Sequence, residues 1–390
     1  NNGKHILKKQ SIMTSQILNC CKKKNNNIFV LDDLFKYMSL TAICKVAFGL
    51  GEGKKIQLIQ KHFNNLFSLQ KDSGKILSLI PGYMYIPFGE PLFIRNSIKV
   101  LHKLSLDLVT EYRKGKKKDN NFKIDNYYKN NIDKKKMLYY NKTLLKSLCD
   151  AYDKNNGYLK NIEVVHNVFS FMAAGMSTTA DSLSHIIFEL AKSKQIMKRL
   201  QKDIDEIVVN KKVIDNITWE DIDKCNYLTA VIKESLRLFP SAGTIAPRVL
   251  IEDCEIDGIL CPKGSYVGIA SLVVQRLNFN SVVNNSDGHI FRPERWEEDF
   301  INNKKKNITF PSNDYSFLAF SAGVRPCIGR HMALMEIKTV LFYFAYNFNV
   351  TIPVNTEFKY NDVRKLKFPL LCMKEDVNIC IGLRNEIFKK

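Results

Sequence analysis

The segment from Glu163 to Lys194 constrains this chain more than any other. Read as a helix it is apolar on nearly every side, through Val164, Val165, Val168, Phe169, Phe171, Met172 and Ala173. A helix without a polar face has to be enclosed, so the rest of the chain must form a domain large enough to surround it. The chain has 390 residues, of which 45% are hydrophobic and 25% charged, which supports such a core and excludes wholesale disorder. No apolar run reaches the length of a membrane span, and no signal peptide is visible in these residues.

Further elements follow from pattern and punctuation. Apolar residues at helical spacing run from Phe29 to Leu50 and stop at Gly49. Asp221–Leu238 reads as a second helix closed by Pro240, and Ile328–Asn347 as a last long one. Residues 248–275 read as strands, with turn signals at Asp257-Gly258 and Pro262-Lys263-Gly264. The fold class is therefore mainly α with a minor β region. Leu77–Phe93 is apolar but broken by prolines and glycines, which predicts a loop. Such a loop either packs over the core or is exposed, touching lipid or guarding a channel. Residues 113–142, rich in Lys, Asn and Asp, predict a flexible solvated insertion.

Lys plus Arg number 59 against 39 Asp plus Glu, a net charge of +20. The lysine runs at 22–24, 116–118, 134–136 and 304–306 lie among asparagines without interleaved aromatics, so no nucleic-acid partner is expected. The 10 cysteines include no Cys-x-x-Cys pair, which predicts a reducing compartment rather than a disulfide framework.

The chemistry concentrates in the loop Phe320-Ser-Ala-Gly323-Val-Arg325-Pro-Cys327-Ile-Gly329, just ahead of the last helix. Helix N-terminal N–H groups and Arg325 favour a thiolate at Cys327. Gly323 and Gly329 let a flat group approach the backbone. Zinc is a poor reading, because only His331 lies nearby. A nucleophile would need a base, and no motif supplies one. Axial ligation of haem iron by the thiolate remains, beside the plainer reading of a buried structural cysteine.

The pattern Phe-x-x-Gly-x-Arg-x-Cys-x-Gly resembles the haem-binding loop of the cytochrome P450 family. Three further landmarks stand in the family's order: Ala174-Gly175-Met176-Ser177-Thr178-Thr179 in the long helix, Glu234-Ser-Leu-Arg237, and Pro293-Glu294-Arg295-Trp296. The resemblance implies a single P450 domain over residues 1–390, an α-helical bundle around haem with small antiparallel sheets. It implies heme b bound through the Cys327 thiolate, with Phe320, Gly323 and Gly329 shaping the loop and Gly175 letting the helix backbone pass close to the haem. Arg325 and Arg248 are expected to hold the propionates. Glu234, Arg237 and Arg295 are expected to form a buried network that pins the loop region. Thr178 is similar to the threonine that helps deliver protons during oxygen activation. The residue before it is usually acidic but here is Ser177, a hydroxyl that relays a proton without being a reservoir of one, so slower or leakier oxygen activation is expected.

The implied activity is a monooxygenase that places one atom of dioxygen into a lipophilic substrate, whose pocket Ala242–Ala246 would line. Electrons come from NADPH-cytochrome P450 reductase or a ferredoxin-type donor, for which Lys233 and Lys338 suggest a basic docking face. Neither Trp219 nor Trp296 has a basic residue four places on. The family's Trp-bearing helix, first strands and N-terminal anchor are therefore expected to be missing, as in an N-terminally truncated fragment. An endoplasmic-reticulum membrane location in full-length form is expected; Arg330 followed by His331 half-matches the mitochondrial alternative. The competing expectations are a haem-thiolate isomerase or dehydratase, and a truncated, non-functional member of the family.

Overall fold

The computed structural model describes residues 28–50, 53–69, 85, 89–120, 143–153, 157–212, 214–277, 287–297, 317–353, 364–367, 370–373 and 378–384. They fall into two compact units. One is formed by Lys36–Ser177, the other by the residues before Lys36 and after Ser177.

Strand β1 (Ile28–Val30) leads at once into α1 (Leu31–Phe48), which buries Leu31, Phe35, Leu40, Cys44 and Phe48. Gly49, at φ 70°, turns the N–H groups of Gly49 and Leu50 back onto the carbonyls of Lys45 and Cys44 and ends the helix where the sequence predicts. In the Lys36–Ser177 unit, α2 (Lys54–Leu69) packs on α3 (Gly89–Asn120), with Ile56, Ile59, Phe63, Leu101 and Val109 enclosed.

Helix α3 departs from expectation at both ends. Gly89–Phe93, predicted as loop, is its first turn, where Pro91 loses no hydrogen bond that a helix needs. The rest of that predicted loop, apart from Tyr85, lies outside the described residues. The predicted insertion also begins as helix, since α3 continues to Asn120. Its last turns are anchored before the lysine run: Tyr112 donates to Asp150 at 3.4 Å, and Arg113 donates to the Leu159 carbonyl at 2.7 Å. Lysine is a good helix former, so the Lys run extends the helix although its composition reads as loop. Residues 121–142, and the lysine runs at 22–24, 134–136 and 304–306, lie outside the described residues.

Beyond α4 (Leu144–Asp150) and the hairpin of β2 (Tyr152–Asp153) and β3 (Gly157–Tyr158) comes α5 (Asn161–Lys192). Its first half packs within this unit, with Phe169 against Phe63 at 5.3 Å between ring centroids. In its second half every residue from Thr179 to Ala191 is buried, the enclosure demanded by its lack of a polar face.

In the other unit α6 (Lys194–Lys211) starts at the Ser193 N-cap. The helix predicted over 221–238 is two: α7 (Trp219–Asp223) and α8 (Asn226–Leu238). A capping box between Thr218 and Asp221 starts α7 early, and Cys225 leaves the helical path to become the N-cap of α8. Ladders join β4 (Arg248–Val249) to β7 (Tyr266–Val267), and β5 (Cys254–Ile256) to β6 (Ile259–Cys261); α9 (Ser271–Val274) follows. Helix α10 (Arg330–Asn347) packs on α6, α7 and α8 through Ile337, Leu341, Phe342 and Phe344. It runs straight into β8 (Phe348–Thr351), and β9 (Arg364–Lys367) pairs with β10 (Leu370–Met373). Strand β11 (Asn378–Leu383) completes an antiparallel sheet of order β1-β11-β8, with Ile28 opposite Cys380 and Val350 opposite Ile381. Among the described residues no helix is long and apolar enough to cross a membrane.

Gly175 has a packing reason that the sequence does not reveal. A Cβ there would stand 3.2 Å from Cγ1 and 3.4 Å from Cβ of Ile43. The Ile43 Cβ is fixed to its backbone and cannot swing aside. Gly175→Ala therefore gains about 1 kcal/mol of helix propensity but overpacks by about 1–3 kcal/mol. We expect net destabilisation, and a smaller effect of Gly175→Ala in an Ile43→Ala background, where the Cγ1 it would crowd is gone. A double-mutant cycle in urea, read by circular dichroism, measures this; additive effects would remove the contact from the account.

Candidate functional site

The centre of the second unit is a carboxylate buried among cations. Glu234 and Arg237 stand three residues apart on one face of α8, both with no exposed side-chain surface. Arg237 donates from Nε to one carboxylate oxygen at 3.0 Å and from Nη2 to the other at 2.9 Å, a two-pronged pair. Arg295, on a helical turn at 294–297, donates from Nε to Glu234 at 2.9 Å. Two more donors converge on the same carboxylate, the Arg292 backbone N–H at 2.9 Å and the Trp296 indole at 3.0 Å.

The remaining guanidinium hydrogens meet oxygen as well. Arg237 Nη1 donates to the carbonyls of Gly288 at 2.8 Å and Gln275 at 3.2 Å, and Nη2 to that of Ile290 at 3.2 Å. Arg295 Nη1 donates to both oxygens of Asp287, at 3.1 and 3.2 Å. The structure thus brings together Glu234, Arg237 and Arg295. It adds Asp287, Arg292 and Trp296, which motif reading did not single out as members. Glu294 faces outward and accepts from the Tyr227 hydroxyl at 2.6 Å; burial and this bond push the Tyr227 phenol above its ordinary range.

One residue missed by sequence reasoning connects this network to the cysteine loop. Gln275 is fully buried at the end of α9. Its amide nitrogen donates to the carbonyls of Arg237 at 3.1 Å and Leu236 at 3.3 Å, while its side-chain oxygen accepts from the Leu318 N–H at 2.7 Å. From Leu318 the chain enters the loop. The Leu318 carbonyl accepts from Ser321 N–H at 2.9 Å, and the Phe320 carbonyl from Cys327 N–H at 2.9 Å. The signal in the sequence was a glutamine closing the apolar run Leu272–Val274.

The loop bends at Ser321 (φ 59°) and Gly323 (φ 80°). Gly323 is needed for that backbone, since a Cβ on it would meet nothing within 4 Å. Gly329 has a different reason: a Cβ there would lie 3.9 Å from the Cys327 sulfur, so the glycine keeps that side of the thiol open. Gly329 is also the N-cap of α10 and makes no side-chain cap. Cys327 itself is exposed, and its neighbours Val324 and Ile328 are 99% and 80% exposed. Arg325 is exposed, and Arg248 on β4 is exposed with a bond to the Ala246 carbonyl at 3.3 Å. Phe320 is half-buried, with the Arg330 guanidinium 6.0 Å from its ring.

On α5 the two neighbouring hydroxyls differ. The Thr178 carbonyl accepts from Ser182 at 2.9 Å and Ser241 at 2.8 Å, and the Thr178 side chain lies on the less enclosed stripe of the helix. Ser177 is buried and donates to the Ala173 carbonyl of its own helix at 3.4 Å. The segment Ala242–Ala246 is tied to α9 and its approach through Ser271 Oγ to Ala242 O at 2.8 Å and Ile245 N to Ile269 O at 2.9 Å. Lys233 and Lys338, expected on a basic docking face, are instead both 4% exposed. Lys233 lies 3.9 Å from the centre of the Trp296 ring, and Lys338 donates to Asp223 at 2.7 Å, so neither presents its charge to a partner.

Removing the shared carboxylate by Glu234→Ala leaves the buried Arg237 without its counter-charge and Arg295 with Asp287 alone, at a cost of about 3–5 kcal/mol. Gln275→Leu keeps the volume but strands the Leu318 N–H and costs about 1–3 kcal/mol. Chemical denaturation of the purified variants checks both, and we expect amide exchange at Leu318 to accelerate in Gln275→Leu; unchanged protection there would disconnect Gln275 from the loop.

The cytochrome P450 family model matches residues 6–378. Cytochrome P450 3A28 of Bos taurus is 30% identical over 322 residues, covering 82% of this chain and 58% of that protein. Cytochrome P450 4e2 of Drosophila melanogaster is 27% identical over 336 residues, covering 83% of this chain and 58% of that one. The chain thus spans somewhat under three-fifths of the length of these curated relatives. Among solved structures, retinoic acid bound cyanobacterial CYP120A1 is similar with a TM-score of 0.72, covering 98% of this chain and 75% of that one at 19% identity, a likeness of fold. With its mainly helical build, its small antiparallel sheets and a family match along nearly its whole length, the chain belongs to the cytochrome P450 family.

Proposed function

We propose that this chain carries the catalytic centre of a haem-thiolate monooxygenase acting on a lipophilic organic substrate. The observation that carries the reading is the exposed Cys327 thiol, held in a loop tied down on both sides and flanked by exposed Val324 and Ile328. The family's cofactor is haem, its iron held by a cysteine thiolate. The residues present fit that group. One thiol stands open, Gly329 leaves room beside its sulfur, and apolar side chains on either side offer a surface for a flat apolar ring to cover. Among the described residues no cluster of three His, Cys, Asp or Glu side chains competes as a metal site.

When bound, the haem supplies activation of dioxygen and transfer of one oxygen atom. Cys327 would hold the iron, and the exposed Arg325 and Arg248 would hold the propionates by charge-assisted hydrogen bonds. The network around Glu234 acts at a distance, fixing Gln275 and so the entry to the loop. We assign Thr178 the proton-moving role on the family resemblance, and Ser177, whose hydroxyl donates to the Ala173 carbonyl of its own helix at 3.4 Å, the lesser one. Electrons come from NADPH-cytochrome P450 reductase or a ferredoxin-type donor, and the site of action in this reading is the endoplasmic-reticulum membrane. The commitment of Ser177 favours a second reading, a haem-thiolate isomerase or dehydratase, whose turnover would proceed without NADPH and reductase.

The reduced, carbon monoxide-treated protein is expected to show a strongly red-shifted Soret band that is lost in Cys327→Ala. A band of neutral ligation would overturn the assignment of Cys327. With a reductase supplied, Thr178→Ala should raise the share of electrons lost to reduced oxygen, whereas Ser177→Ala should leave it unchanged. Equal effects of the two substitutions would return Ser177 to the proton path.

A further inference from the structure

The β5–β6 hairpin sets two thiols directly across from each other. Cys254 is the register partner of Cys261, as Ile256 is of Ile259. Directly opposed residues of an antiparallel pair share a face, with Cα atoms about 4.5–5.5 Å apart. That spacing falls within the roughly 4.4–6.8 Å that a disulfide spans.

The register is fixed at both ends of the hairpin. Asp257 (φ 49°) and Gly258 (φ 79°) are both left-handed, the backbone of a tight two-residue turn. At the open end Lys263 N–H donates to Asp253 Oδ1 at 2.7 Å, Gly264 N–H to the Leu250 carbonyl at 2.8 Å, and Leu250 N–H to the Ser265 carbonyl at 3.0 Å. A slip that would separate the thiols breaks these contacts. Both cysteines are free and half-buried, and the Cys261 thiol makes a weak bond to the Ile259 carbonyl at 3.6 Å that is readily given up.

The other described cysteines lack this arrangement. Burial pushes the Cys44 and Cys225 thiols up to about 12, which leaves little thiolate to react. Cys380 lies opposite Ile28 and Thr351, and Cys327 belongs to the proposed haem loop.

We propose that Cys254 and Cys261 form a reversible dithiol–disulfide site for low-molecular-weight disulfides such as glutathione disulfide. The thiolate of one cysteine attacks a sulfur of the reagent, forming a mixed disulfide and releasing one glutathione thiolate. The opposed thiolate then attacks the protein sulfur of that mixed disulfide, closing Cys254–Cys261 and releasing the second glutathione. Two protein thiols are oxidised, one glutathione disulfide is reduced to two thiols, and the two protons pass to the leaving sulfurs.

Both cysteines lie on a single tryptic peptide, Val249–Lys263. The folded chain is equilibrated in buffers of reduced and oxidised glutathione, trapped with acid and iodoacetamide, digested, and that peptide weighed. The expected product is the peptide lighter by two hydrogens and unalkylated, restored to the doubly alkylated form by dithiothreitol. At fixed glutathione disulfide, halving the reduced glutathione should raise the ratio of bridged to reduced peptide about fourfold, since closure releases two thiols. A twofold response with a glutathione adduct on the peptide, or a peptide that stays doubly alkylated, would overturn the proposal. Cys261→Ser should convert the bridge into that adduct on Cys254.

Discussion

Glu234 is an anion without access to water, held between two guanidiniums, an indole N–H and a backbone N–H. Each of these donors comes with a piece of chain attached. Arg237 belongs to α8, while Arg292, Arg295 and Trp296 belong to the segment 287–297 that has little regular structure of its own. A buried charge is tolerated only when its partners are all in place, so the carboxylate forces that irregular segment into one position against the helix. The guanidiniums extend the same demand outward to the carbonyls of Gln275, Gly288 and Ile290 and to Asp287. Net stabilisation is not what such a network supplies best; what it supplies is a unique arrangement.

The cysteine loop inherits that arrangement through Gln275. Its amide reads the end of α8 on one side and the Leu318 N–H on the other, so the loop's starting point is referred to the buried network rather than to the surface. From there two left-handed residues, Ser321 and Gly323, turn the chain, and the Cys327 N–H closes the loop on the Phe320 carbonyl. The result is a thiol presented on exposed backbone yet positioned from the core. A metal ligand requires that combination, open on one side and rigid on the other.

Several features were legible in the residues alone. The α5 helix, the end of α1 at Gly49, the Asp257-Gly258 turn and the loop around Cys327 each carry a strong local signal. Glu234 and Arg237 were readable as a pair because helical spacing puts them on one face. Arg295 was readable only by resemblance, since nothing local says that a residue 61 positions away meets the same carboxylate. Composition misled where it disagreed with packing. The lysine run at 116–118 continues α3, and Lys233 and Lys338 look like surface charges but are buried against Trp296 and Asp223.

By itself the sequence determined the family, the mainly helical class and the thiol that stands alone in its loop. It could do so because periodicity, turn chemistry and motif spacing are short-range properties. Tertiary structure alone decided which of those residues cooperate. It gave Gly175 its reason in Ile43 and Gly329 its reason in the Cys327 sulfur. It made Gln275 the link to the loop and set Cys254 opposite Cys261. Each of these depends on a neighbour distant in sequence or on the direction of a side chain, and neither is written in the order of the residues.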